Sequence, residues 1–210
     1  MKEKAIKLTV KDLVLIGILT TLLTVVGMAV GVLTMPFMGF ALIAGAPLTG
    51  MVTAPIYLLL AFKVGKRGVM LLHSVLRGLF YTLMGLPHLL IIMLPLGIIG
   101  ELIMIPASSY QSIKRNTVAW SVFNAGNGLL GPILLWIFGG QYFSEHFSNM
   151  FSAEQLVLMN LYYFDPLILA AIAALGAGCG ALGCLLGWSM LKRHFIKSGL
   201  IQGSEIVEAK

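Results

Sequence analysis

Between Asp12 and Lys63 the chain carries no Asp, Glu, Lys or Arg. This charge-free run covers residues 13–62. A membrane span needs about 20 mostly apolar residues, so the run holds two spans and a tight turn. Residues 78–100, 116–144 and 166–191 are charge-free as well. Of 210 residues, 59% are hydrophobic and only 10% are charged, against about 25% charged in an ordinary soluble domain. So few polar side chains cannot coat a soluble fold of this length. In a bilayer the surface can stay apolar, provided that the backbone hydrogen bonds close within helices. The expected fold class is all-α: a polytopic membrane protein of six transmembrane helices.

The apolar segments predict spans over about 12–34, 38–62, 67–85, 87–107, 117–139 and 166–190, within one transmembrane domain over 1–197. Met35-Pro36, Leu86-Pro87 and Asp165-Pro166 punctuate them, as proline does between helices. Residues 198–210 form a polar tail. The basic start, Met1 to Lys11, runs into an apolar stretch that is too long for a secretory signal and has no small-residue cleavage site. It reads as a retained first span. Lys2, Lys4, Lys7 and Lys11 precede span one. Lys63, Lys66 and Arg67 join spans two and three. Lys114 and Arg115 join four and five, and Lys192, Arg193 and Lys197 follow six. The other three connections hold no Lys or Arg. Basic residues stay on the cytoplasmic side, so the expected topology is N-in/C-in at the cell membrane.

Two outer turns follow, near Thr34–Phe37 and Gly85–His88, with one long connection over about 140–165. Ser152-Ala153-Glu154-Gln155 has the pattern of a capping box, which predicts a short helix through Leu156, Val157, Met159 and Leu161. Phe143, Phe147, Phe151, Tyr162, Tyr163 and Phe164 make the connection strongly aromatic. It reads either as an interfacial belt or as a lid over an outward-facing pocket.

Arg77 is the most informative residue. It falls near the middle of span three, where an arginine costs at least roughly 2.5 kcal/mol on insertion scales and so faces protein or water. His73 and Tyr81, each four residues away, share its helix face. Glu101 in span four is expected at a depth similar to that of His73. Arg77 then either pairs with Glu101 or meets an anionic group of a substrate. Asn124 and Asn127, among the glycines of span five, serve interhelical hydrogen bonding or ligand contact, since buried amides need partners. His88 and His146 are outer-face candidates that read as interface residues, because no His spacing supports a metal site. The candidate substrate-binding set is Arg77, Tyr81, His73, His88, Glu101, Asn124, Asn127, Tyr162 and Tyr163. No catalytic or metal-ligating residue is expected.

Gly176, Gly180, Gly183 and Gly187 give span six two GxxxG pairs, and Ala173, Ala177 and Ala181 repeat the spacing. Span one has Gly17 and Thr21, then Gly27 and Gly31. Such stripes let helices approach closely, internally or at a partner. Cys179 and Cys184 face different directions on one helix, so no disulfide is expected. No phosphate-binding loop occurs, nor HExxH or GxSxG. A single acid, Glu101, lies well inside the core, which weakens a proton-pump reading.

With six spans, an inside N-terminus, small residues on span one and a long outer connection before span six, the chain resembles the substrate-binding S components of energy-coupling factor (ECF) transporters. The opening Val10-Lys11-Asp12-Leu13-Val14-Leu15-Ile16-Gly17-Ile18-Leu19-Thr20-Thr21 looks like the start of the MptD or Trep-Strep branch. The resemblance implies capture of a vitamin-like or other small micronutrient near the outer face. It implies release inside by a shared module of one transmembrane coupling subunit and two ATPases. ATP is then used by the partners, and this chain binds no cofactor and no nucleic acid. Partner contact in that family uses small residues on span one, often Ala-xxx-Ala; here the matching positions hold Gly17 and Thr21. An autonomous membrane carrier is the alternative. An integral membrane enzyme acting on lipid is a third reading, with His73, Arg77 and Glu101 as its one candidate set.

Overall fold

The structure is a computed structural model that describes residues 7–105, 107–146 and 152–197. Every regular element among them is helical: α1 (Val10–Thr34), α2 (Met38–Val64), α3 (Val69–Leu83), α4 (His88–Ile103), a 3₁₀ turn over Ala107–Gln111, α5 (Ile113–Gly128), α6 (Leu130–His146), α7 (Ala153–Tyr163) and α8 (Pro166–Lys197). Four stretches are long and apolar enough to cross a membrane: α1, α2, Ile113–Gln141 across α5 and α6, and Pro166–His194 within α8. The α3 and α4 helices have 15 and 16 residues, about 22–24 Å at the usual rise. They are shorter than the expected 67–85 and 87–107. Left-handed Gly68 (φ 97°) precedes α3 and left-handed Gly85 (φ 87°) follows it, and α4 stops at Ile103.

Local chemistry sets the ends. At α1, Thr9 and Asp12 form a reciprocal capping box. At α2, Gly65 takes a left-handed conformation (φ 58°) and donates to Ala61 O, the αL stop that glycine favours. Ser152 and Gln155 cap α7 reciprocally, as the sequence predicts. Asp165 accepts from the Leu167 backbone N–H at 2.8 Å, and Pro166 supplies the first helical residue of α8.

The expected glycine stripe on α8 is internal. A Cβ at Gly176 or Gly180 would meet the α5 backbone at Ala125 or Ser121, 2.9–3.0 Å away. Gly183 and Gly187 turn instead to α2, at Met51 and Pro55. Pro55 has no N–H for the Met51 carbonyl one turn earlier, and Gly183 lies against that carbonyl. A side chain there would separate α8 from α2. Cys179 and Cys184 are both free thiols.

One end of the bundle gathers the basic residues. Lys66 pairs with Asp12 at 2.6 Å, Gln111 Nε2 donates to Phe62 O, Phe62 stacks on Trp188, and Arg115 Nη1 donates to Ile103 O and Ile105 O. These contacts bring the starts of α1, α3 and α5 next to the ends of α2, α4 and α8. Elsewhere large apolar side chains face outward, among them Ile18, Val25, Ile91, Leu102, Leu182 and Leu186. So much exposed apolar surface on a well-packed bundle marks contact with lipid.

Candidate ligand-binding site

The candidate site lies at the end away from the basic residues. The last turns of α1, the start of α2, the second half of α3 and the junction of α5 with α6 line an open cavity of about 420 Å³. This lies at the small end of the range for ligand pockets, roughly 300–1,000 Å³. Gly27 and Gly31 of α1 form part of its wall, with Met28, Val32, Thr34 and Met35. Gly27 packs against the Thr49 methyl group, whereas a Cβ on Gly31 would meet nothing within 4 Å. Both glycines thus belong to the cavity lining. The facing wall of α2 includes Ala41, Gly45, Ala46 and Thr49. There α2 widens into a π-helical stretch over Ala41–Gly45, a distortion frequent at functional sites.

Arg77 is the one charged residue among the described residues of the lining, beside Tyr81 and Asn127. Its Nε and Nη2 donate to the Tyr81 hydroxyl at 3.2 and 3.0 Å. Arg77 is only 9% exposed. Among the described residues no carboxylate lies within ion-pair distance of it. Asn127, at the end of α5, is 6% exposed and its Oδ1 is buried without a hydrogen-bond partner. A buried, unsatisfied amide is costly in a packed bundle, so its place in a cavity wall needs an explanation. Next to it Leu129 breaks the helix between α5 and α6.

The expected alternative, an Arg77–Glu101 pair, is absent. Glu101 lies at the opposite end of α3, where its Oε1 accepts from the Gly68 backbone N–H at 2.7 Å and its Oε2 from the Tyr110 hydroxyl at 2.7 Å. Tyr110 in turn accepts from the Met70 N–H at 3.1 Å. Glu101 thus caps the α3 N-terminus directly and through Tyr110, where the helix dipole favours an anion. Burial, reinforced by the Glu101 carboxylate, holds the Tyr110 phenol well above its usual range, so it stays a donor. This removes Glu101 from the candidate site. Its depth also differs from that of His73, because it sits beside Gly68, before the helix begins.

His73 shares the α3 face with Arg77 but does not line the cavity. It is fully buried, with Nδ1 3.2 Å from the Thr20 hydroxyl and its ring against Phe123 and Trp120. Asn124 also leaves the site. Its Nδ2 donates to Pro47 O at 3.3 Å and Gly176 O at 2.8 Å, so it clamps α5 to α2 and α8. His88 packs edge-on against Phe138, outside the lining. Tyr163 is buried in a satellite cluster with Leu135, Met159 and Ile172, and Tyr162 packs against it. The Tyr162 hydroxyl approaches Gly39, so α7 braces the start of α2 and does not form the cavity wall. Of the two turns read from the sequence as outer, the first contributes Thr34 and Met35 to the lining, and no residue of 85–88 is among the described lining residues. His146, Phe143, Phe147 and Phe151 carry expectations that lie outside the described side chains.

Residues 10–197 match the model of a family described as a hypothetical bacterial integral membrane protein, Trep_Strep. The chain belongs to the Trep_Strep family. Neither curated proteins nor solved structures gave a match. Family membership and the apolar helices make this Trep_Strep protein a multi-pass membrane protein.

Two features of the Trep_Strep protein have no local signature in its sequence. One is an aromatic cluster beside His73: Tyr57 stacks on Trp120 at 4.3 Å and donates to Asn116 Oδ1, and Trp120 Nε1 donates to Gly50 O. Aromatic residues in apolar runs give no local sign of such a cluster. The other is the wall of small α1 and α2 residues. Gly27 and Gly31 were visible as a stripe, but nothing in the spacing said which side they face. Gly17 and Thr21 lie outside the cavity: a Cβ on Gly17 would meet nothing within 4 Å, and the exposed Thr21 hydroxyl donates back to Gly17 O.

Proposed function

We propose that this Trep_Strep protein is the substrate-specific membrane subunit of an ATP-driven importer of the ECF type. It captures a small micronutrient at the outer face and delivers it with a shared module of one transmembrane coupling subunit and two ATPases. In this reading α3 and α4 cross the membrane with their adjoining turns, giving six spans, and the basic end is cytoplasmic with both termini. The chain does no chemistry of its own; ATP is consumed by the partners.

The observation that carries the reading is the cavity holding Arg77. A guanidinium buried in an apolar helix bundle with no carboxylate partner among the described residues is expensive, and a ligand anion offsets that cost. The open α1 surface at Gly17 and Thr21, toward the basic end, supports docking of a helical partner. The sequence offers no nucleotide-binding motif, which agrees with a borrowed engine. The helix break beside Asn127 favours a second reading, an autonomous carrier, because such carriers build their sites at interrupted helices. Reconstitution in vesicles decides between them. Uptake of the co-purifying solute only when the ATPase module and ATP are present supports the subunit; uptake by the protein alone supports the carrier.

A further inference from the structure

The polar groups of the cavity define what it takes. Both Nε and Nη2 of Arg77 are held by one oxygen, that of Tyr81. The Arg77 Nη1 group and the Tyr81 hydroxyl proton stay available to a ligand. Together they offer donors to an anionic group, with hydrogen bonds strengthened by the charge. Among the described residues no second cationic side chain lines the cavity, so a doubly charged ligand would bring in a charge that they do not compensate. Asn127 contributes an amide whose Oδ1 is buried and without a partner, an acceptor that calls for a donor on the ligand; a neutral donor avoids a second cation in the lining that holds Arg77. The Thr34 and Thr49 hydroxyls of the wall donate to Gly31 O and Gly45 O, and Met28, Val32, Met35, Ala41, Ala46 and Leu130 make most of the remaining surface apolar.

We infer that the ligand is a small amphipathic monocarboxylate: one carboxylate at Arg77 and Tyr81, one neutral hydrogen-bonding group at Asn127, and an apolar body between α1 and α2. This rests on the capture reading above and narrows it to a substrate class. Polyphosphorylated and cationic solutes are excluded by the single guanidinium, as are strongly polar solutes such as free sugars by the apolar wall.

The test is a binding panel on the purified full-length protein in nanodiscs, read by thermal stabilisation and calorimetry. The probes are small monocarboxylates, each matched to its primary amide: phenylacetate, 4-hydroxyphenylacetate and indole-3-acetate, extended to aliphatic acids of similar size, with phthalate as a dianion. Acids should bind at least tenfold more tightly than their amides, and more tightly than phthalate. Arg77→Gln should erase that preference. Asn127→Leu should weaken acids that carry a second hydrogen-bonding group about tenfold more than it weakens phenylacetate. Amides binding as well as acids, a preference for the dianion, or no acid binding at all would overturn the proposal. Asn127→Leu acting equally on every acid would overturn the second contact. Co-purification of the same preparation with an energy-coupling module keeps the two inferences apart. Failure of the panel with a stable complex removes the ligand class and leaves the importer subunit. Acid selectivity without a complex does the reverse.

Discussion

Arg77 Nε and Nη2 converge on a single acceptor, the Tyr81 hydroxyl one helical turn away, at 3.2 and 3.0 Å. The Arg77 guanidinium carbon also lies 5.6 Å from the Tyr81 ring centroid. Tyr81 therefore holds the guanidinium in the cavity wall. Tyr81→Phe should leave insertion intact and reduce affinity for the co-purifying ligand about tenfold, since a hydrogen bond to a charged group contributes roughly 1.5–3 kcal/mol. Arg77→Ala should reduce it further. Calorimetry on the folded variants checks the order; an unchanged affinity in Arg77→Ala would take the residue out of the site.

Glu101 is expected to matter for stability and not for binding. Glu101→Ala leaves the Gly68 N–H and the Tyr110 hydroxyl without their acceptor. Stranded buried donors cost about 1–3 kcal/mol each. The melting temperature in detergent should fall, while ligand affinity of the folded fraction stays within about twofold, well under the tenfold that 1.4 kcal/mol would give. A selective loss of binding would return Glu101 to the site.

The contact between α2 and α5 should be intolerant of one methyl group. A Cβ at Gly50 would fall 2.0 Å from the Asn124 side-chain amide, the group that clamps Pro47 O and Gly176 O. Gly50→Ala should destabilise by about 1–3 kcal/mol through overpacking. Asn124→Leu should lower stability as well, with two carbonyls left unpaired. Thermal melts that match the unaltered protein would contradict this geometry.

Gly17→Leu should have the opposite profile. Space in front of Gly17 is open, so folding and ligand capture should survive the substitution. Assembly with a coupling subunit should fail, because bulk blocks close helix approach. Pull-down of the variant by a tagged module measures this directly, and normal assembly would move the interface elsewhere.

Which features were legible depends on how local their causes are. Ser152 and Gln155 announce α7 because both partners of the capping box lie within four residues. Arg77 and Tyr81 are found together because helical spacing alone aligns them. Glu101 was misplaced because its partners are a loop glycine and a tyrosine of the 3₁₀ turn, whose positions come from how α3 packs on α4. Asn124 and Asn127 are three residues apart on one helix, yet one is a clamp and the other lines a cavity. The clamp depends on Pro47 and Gly176, far away in sequence. The charge-free runs predict apolar helices, but they overestimate α3 and α4, since hydropathy does not register the left-handed glycines that bound α3.

The most direct measurement is co-expression of the chain with a tagged energy-coupling module, followed by purification in detergent or nanodiscs. The account predicts a stable complex that contains this chain, the coupling subunit and the two ATPases, and that retains the solute bound at Arg77. A well-folded chain that never joins an intact module, and that moves its solute across vesicles unaided, would contradict it.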